Sequence, residues 1–322
     1  MNRSSVHTDG DPRPTSIEER EPSAVRSVDR AHALLRGARL HHWPKNLLVF
    51  VAPAAAGVLH VPHQALVACG AFVAFCLAAS GTYLLNDCLD AASDRHHPVK
   101  RHRPVASGLL TVQTAATAGA VLIAMALGSA WLVAGWALTL VIGSYVGITV
   151  AYSLWLKRMP VVEMAVVAAG FVLRAVAGGV ATHVALSSWF LVVASFGALF
   201  VTAGKRLAEH LSLGDTRVAH RSVLQEYDTA YLRSTVTLTA TVTVTAYCLW
   251  ALDRNNGLVL RAGSGATWIA ITVAPVVVGM LVMLRLLFDG KGGAPEEIFL
   301  HNRVLQVLGV FWVALFAVGL YG

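Results

Sequence analysis

From about residue 40 onward, apolar runs recur along the whole chain, separated by short polar or basic stretches. A membrane span needs about 20 mainly apolar residues. Nine stretches meet that requirement: roughly 40–59, 64–88, 111–130, 135–155, 160–181, 188–207, 231–252, 266–287 and 303–321. The seventh is rich in Thr. A Thr hydroxyl can bond back to its own helix carbonyls, so polarity there does not exclude a span. Residues 1–30 read differently: they are polar and rich in Arg, Glu, Ser and Pro, with no apolar run after the early charges. This predicts a disordered cytoplasmic tail and not a secretory signal. The expected architecture is all-α: a polytopic bundle of nine transmembrane helices, forming a single transmembrane domain over 31–322.

Composition agrees with that reading. Of 322 residues, 56% are hydrophobic and 13% charged, and the mean hydropathy is +0.62; a soluble domain rarely reaches such values. The net charge of +7 suits anionic lipid and anionic substrates. Nucleic acid is excluded as a partner, because the basic residues lie between apolar spans and form no arm or stripe. Cys69, Cys76, Cys88 and Cys248 make no C-x-x-C pair, which argues against zinc or a disulfide frame. Nothing in the chain fixes its oligomeric state, and a homo-oligomer stays open.

Loop charges alternate as the positive-inside rule requires. The connections near 60–63, 131–134 and 182–187 carry no Lys or Arg, and 253–265 has only Arg254 and Arg261. The opposite connections hold Arg95, Lys100, Arg101 and Arg103; Lys157 and Arg158; Lys205, Arg206, Arg217, Arg221 and Arg233; and Lys291 and Arg303. This predicts a cytoplasmic amino terminus, and it places every candidate catalytic loop on the cytoplasmic face of a multi-pass protein of the inner (plasma) membrane.

The second span ends in Asn86-Asp87-Cys88-Leu89-Asp90-Ala91-Ala92-Ser93-Asp94. Carboxylates are costly in a bilayer and are seldom kept there without a job. Asn86, Asp90 and Asp94 step by four and share one helix face. Such a stripe suits Mg²⁺, which takes one or two carboxylates and shares its other positions with water and phosphate oxygens. Asn86 and Asp90 are the first-choice ligands. Asp94 acts directly or through water, and Asp87, a quarter turn away, orients a neighbour. The bland alternative is a solvated helix end whose acids pair with Arg95 or Arg101.

Cations ring this stripe. Lys100 and Arg103 follow it closely and can neutralise a diphosphate. Lys45 lies at the head of the first span in Arg39-Leu40-His41-His42-Trp43-Pro44-Lys45-Asn46, where it either snorkels to water or binds phosphate. Lys157 closes the fourth span. Arg174 lies eleven residues after Glu163, on the same helix face and about 16 Å deeper, and is expected to face a wet cavity or pair with a buried acid. Lys205 and Arg206 end the sixth span as phosphate-binding candidates, and Gly204 would let another group approach the backbone closely.

Asn86-Asp87-x-x-Asp90-x-x-x-Asp94, the stretch from Arg39 to Asn46 and the nine spans resemble the UbiA superfamily of intramembrane prenyltransferases over nearly the whole chain from about residue 35. That superfamily usually carries a second aspartate-rich motif after the fourth span. Here, Tyr152 to Glu163 keeps Tyr152 and Lys157 but holds one acid, Glu163. The chain is most similar to the superfamily's phosphoribose-transferring branch. The supporting stretches include Tyr83-Leu84-Leu85-Asn86-Asp87, His97-Pro98-x-Lys100-Arg101-x-Arg103-Pro104 and Ala203-Gly204-Lys205-Arg206. The resemblance implies a UbiA-type bundle around a cytoplasm-facing cavity. It also implies Mg²⁺-dependent transfer of 5-phosphoribose from phosphoribosyl pyrophosphate (PRPP) to decaprenyl, or another polyprenyl, phosphate. The product would serve arabinan cell-wall synthesis. Tyr83 and Tyr152 then join Lys45, Lys100, Arg103, Lys157, Arg174, Lys205 and Arg206 as substrate-binding residues, with Asp87, Asp90 and Asp94 catalytic. Two rivals stand beside this: an aromatic prenyltransferase using prenyl diphosphate, and a membrane transporter.

Overall fold

The computed structural model describes residues 23–213, 222–258, 265–290 and 295–321. Arg217, Arg221, Arg261, Lys291 and most of the predicted tail lie outside the described residues; the tail's last positions, from Ser23, begin the first helix. Among the described residues all regular structure is helical. The α-helices are α1 (Ser23–Ala38), α2 (Val51–Ala55), α3 (Pro62–Arg95), α4 (Val112–Leu154), α5 (Val162–Ala181), α6 (Ser188–Leu213), α7 (Thr229–Leu258), α8 (Gly265–Ile271), α9 (Val273–Phe288), α10 (Pro295–His301) and α11 (Arg303–Tyr321).

Seven helical stretches among the described residues are long and apolar enough to cross a bilayer, and the protein is a multi-pass membrane protein. The expected nine spans differ from this number for two physical reasons. First, α4 holds two predicted spans. Its 43 residues would extend about 64 Å if straight, twice the hydrocarbon core of about 30 Å. The helix instead breaks at Ala134 and at Gly135, whose φ of 68° and ψ of −156° suit glycine. Leu127 of the first half packs over Gly143 of the second, so α4 is a hairpin. Second, the predicted span 40–59 is not a continuous α-helix. It starts from Arg39 in the left-handed region (φ 53°, ψ 52°), runs as 3₁₀ turns over Leu40–Phe50 with Pro44 inside, and continues into the five-residue α2. This lead-in segment lies tight against α5: a Cβ on Gly178 would overlap the Val49 carbonyl.

Apolar side chains bury in three clusters. One joins Val49, α3, both halves of α4 and α5 around Phe75, Leu138 and Ile142. A second joins α5, α6, α7, α9, α10 and α11 around Leu207, Leu232 and Leu287. A third, with Ala33 of α1, Leu84, Val105 and Leu110, closes the end of α3 that carries the acids. The Thr-rich α7 satisfies its hydroxyls as expected: Thr235, Thr237, Thr239, Thr241 and Thr243 each donate to the carbonyl four residues back. Gly204 is indeed closely approached, but by Pro295 and Leu287 of the protein itself.

Candidate active site

The last two turns of α3 carry the acidic run, and two different sets of cations meet it. Asn86 donates from Nδ2 to Asp90 Oδ2 at 3.2 Å, so the two predicted metal ligands are adjacent. The other oxygen of Asp90 accepts from Lys157 Nζ at 2.5 Å, across the bundle from the 3₁₀ turn Leu156–Arg158. Both partners are partly exposed, at 22% and 23% of their side chains, so the pair opens to solvent and is exchangeable. Three residues after that turn, Val161 sits at φ 66°, a genuine outlier for a β-branched residue. Its N–H donates to Tyr227 Oη at 2.7 Å, which fixes the chain between Lys157 and Glu163. Burial pushes the Tyr227 hydroxyl above its ordinary pKa, and the Glu163 carboxylate adds to this, so the phenol stays protonated.

Asp87 and Asp94 face another way. Asp87 Oδ1 accepts from Arg39 Nη2 at 2.5 Å and lies 3.3 Å from Arg103 Nη1, which also donates to Asp94 Oδ2 at 2.7 Å. Both carboxylates are buried. Beside them lies a cavity of about 480 Å³ lined by Arg36, Arg39, His41, His42, Asp87, Lys100, His102 and Arg103. Tyr83 stands next to it, its ring 4.9 Å from the Arg39 guanidinium and 5.4 Å from the His42 ring. Lys45 and Lys205 are close enough to His42 to act on it electrostatically. Thus Asn86, Asp90 and Lys157 come together, and Tyr83, Lys100 and Arg103 gather at the adjoining cavity.

Arg174 and Arg206 are placed differently from expectation. Glu163 does not turn toward Arg174. It is fully buried and forms a two-pronged pair with Arg206, Nε–Oε1 2.6 Å and Nη2–Oε2 2.8 Å. Arg206 Nη1 takes Glu209 at 2.7 Å, and Tyr152 lies near the same guanidinium. Arg174 is buried and donates to Asn46 Oδ1, the Gly170 carbonyl and Tyr145 Oη at 2.7, 2.6 and 3.2 Å, among the rings of Phe75, Tyr145 and Phe171. The reason is helix packing: α6 presents Arg206 to the first turn of α5, and the lead-in segment presents Asn46 to its deeper part. Sequence reasoning missed Arg36, His41, His42 and His102 as cavity residues. Arg39 stands in the lead-in pattern, but the pattern gives it no role.

The donor set fits magnesium. Asn86 and Asp90 offer one amide and one carboxylate oxygen set, leaving positions for water and phosphate oxygens. Among the described residues no group of three or more His, Cys, Asp or Glu side chains is placed to hold a metal. A cation held here would therefore need substrate oxygens as well.

Residues 47–320 match the UbiA prenyltransferase family, and the chain belongs to that family. Among its relatives is the decaprenyl-phosphate phosphoribosyltransferase of Corynebacterium glutamicum, 39% identical over 97% of this chain and 93% of the relative. Proteins of the same name from Mycolicibacterium smegmatis and Mycobacterium tuberculosis are each 40% identical, over 94% and 87% of this chain and 97% and 92% of the relatives. Among solved structures, the UbiA homolog from Archaeoglobus fulgidus bound to GPP and Mg²⁺ covers 89% of this chain and 98% of its own. Its TM-score is 0.63 at 17% identity, so that likeness establishes the fold alone. The UbiA homolog from Aeropyrum pernix K1 gives a TM-score of 0.55 at 16% identity.

Proposed function

We propose that the protein transfers 5-phosphoribose from PRPP to decaprenyl phosphate, giving decaprenylphosphoryl-5-phosphoribose and pyrophosphate for arabinan cell-wall synthesis. The near full-length likeness to phosphoribosyltransferases of that name supports the reading. One feature of the geometry carries it. Glu163, the one acid in the stretch from Tyr152 to Glu163, is paired with Arg206, so the acids described at the site come from the end of α3, where two sets of cations meet them. That balance suits a donor with one diphosphate and one further phosphate, met by an acceptor phosphate.

Asn86 and Asp90 would hold Mg²⁺, which, when bound, neutralises charge on the leaving diphosphate. Lys157, held at the rim by Asp90, offers its ammonium to the same charge. Lys100 and Arg103 position the donor from the adjoining cavity, with Tyr83 packed behind them. Lys45 and Lys205 draw in the lipid phosphate. The C1–O bond to pyrophosphate breaks with oxocarbenium character, pyrophosphate departs with the electron pair, and a lipid phosphate oxygen forms the new C1–O bond. The phosphate is already anionic near neutral pH, so no strong base is needed, and catalysis comes from positioning and charge. Arg174 contributes by fixing Asn46, and through it the segment that bears Lys45. The basic connections support a site on the cytoplasmic face of the plasma membrane.

The test is a donor–acceptor assay on purified protein with Mg²⁺. PRPP is consumed with decaprenyl phosphate, and Asp90→Ala lowers turnover by about 10²–10³-fold, the scale of losing one charge-stabilising group. Consumption of prenyl diphosphate in place of PRPP, or wild-type turnover by Asp90→Ala, overturns the proposal.

A further inference from the structure

Arg39 combines three features that its sequence position does not advertise. Its backbone is left-handed, at φ 53° and ψ 52°. For a non-glycine residue this is a strained conformation, and such strain concentrates at working sites. Its guanidinium is held twice, by the Asp87 carboxylate at 2.5 Å and over the Tyr83 ring at 4.9 Å. It also lines the 480 Å³ cavity together with Arg103, whose guanidinium is held by Asp87 and Asp94. One buried carboxylate thus keeps two guanidiniums side by side that would otherwise repel each other. Both remain partly exposed, at 18% and 24%.

This pocket is distinct from the face formed by Asn86, Asp90 and Lys157. Asp87 and Asp90 are three residues apart, a rise of about 4.5 Å and a turn of about 60° on the helix. Asp90 reaches across to the connection between α4 and α5, whereas Asp87 reaches the lead-in segment and the connection between α3 and α4. Asp87 is the one carboxylate among the described lining residues; its Oδ1 meets both arginines and its buried Oδ2 has no hydrogen-bond partner among the described residues, so cationic N–H donors dominate the pocket. Paired guanidinium forks match the oxygens of a phosphate monoester, and the cavity lies within the usual range for small-ligand sites, about 300–1,000 Å³.

Resting on the function proposed above, we infer that Arg39 and Arg103 bind a phosphate monoester, the 5-phosphate of the donor. Asp87 is the positioning residue that sets both guanidiniums. Arg39 selects a sugar donor carrying a distal phosphate, while the Asn86–Asp90–Lys157 face takes the diphosphate.

The experiment uses the purified full-length chain in detergent, with ribose 5-phosphate and pyrophosphate as separate probes. Ribose 5-phosphate raises the unfolding temperature of the wild type without Mg²⁺, and it competes with PRPP during turnover. In Arg39→Gln that temperature rise disappears. The inhibition constant for ribose 5-phosphate and the KM for PRPP rise by about tenfold or more, the scale of one lost charge-assisted hydrogen bond or pair. Inhibition by pyrophosphate with Mg²⁺ and the KM for decaprenyl phosphate stay as in the wild type. Asp90→Asn gives the reverse pattern. Arg39→Lys, which keeps the charge and loses the fork, falls between wild type and Arg39→Gln, and it serves as the second variant should Arg39→Gln fold poorly. An unchanged response to ribose 5-phosphate in both Arg39 variants overturns the inference. So does a rise confined to the KM for decaprenyl phosphate, which would give the pocket to the lipid phosphate. A wild type that does not consume PRPP fails the function proposal instead, so the two failures are separable.

Discussion

Arg206 and Arg174 are both buried guanidiniums in neighbouring helices, and the protein keeps them by opposite means. Arg206 is surrounded by Glu163 and Glu209, so its charge is cancelled where it stands. Among the described residues Arg174 has only neutral acceptors, Asn46, Gly170 and Tyr145, and three aromatic rings. Dipoles and ring faces make its burial tolerable without cancelling the charge. The first arrangement locks α5 to α6 and is electrostatically quiet. The second ties the lead-in segment to α5 and leaves a positive field beneath the site. Equal burial of the same residue type therefore does not imply an equal role.

The contrast predicts a graded series, read by unfolding in detergent and by turnover. Glu163→Ala strands Arg206 with half its counter-charge and costs about 3–5 kcal/mol of stability, the usual loss on breaking a buried pair. Joint replacement, Glu163→Leu with Arg206→Met, recovers most of that loss, because no fully buried charge is left uncompensated; Glu209, which loses Arg206, is 31% exposed and reaches solvent. Arg174→Met strips Asn46 Oδ1 of its donor and costs about 1–3 kcal/mol, with a modest rise in the KM for PRPP. A greater stability loss for Arg174→Met than for Glu163→Ala would break the comparison. The smallest change is Tyr145→Phe, which removes one 3.2 Å bond to Arg174 and costs about 0.5–1.5 kcal/mol, with turnover unchanged.

The adjacency of Asn86 and Asp90 was legible because one helix turn follows directly from residue spacing, whereas the meeting of Asp94 with Asp87 at Arg103 was not. Asn86 beside Asp90 is a fact internal to α3, and the basic connections point to Lys157, Lys100 and Arg103. Partner choice across helices was not legible. Glu163 and Arg174 share a face by periodicity, yet α6 brings Arg206 to Glu163 first, and nothing in the spacing of α5 encodes that neighbour. The break at Gly135 falls where the pattern separates two spans, at 131–134, although Trp131-Leu132-Val133-Ala134 is as apolar as the spans it joins. The left-handed backbone of Arg39 was invisible, because a non-glycine residue carries no local mark of such a conformation.

That same hairpin fixes the height of the molecule. Its tip exposes Trp131, Leu132 and Trp136, and tryptophan settles where hydrocarbon gives way to headgroups. From Trp136 to Leu154 the second half of α4 rises about 27 Å, close to one hydrocarbon thickness. Its far end, where Trp155 is again exposed, reaches the opposite headgroup layer beside Lys157. A two-sided tryptophan anchor of this kind levels Lys157 with the phosphates of that leaflet, so that under the proposed function a lipid-borne phosphate would reach it by lateral diffusion alone.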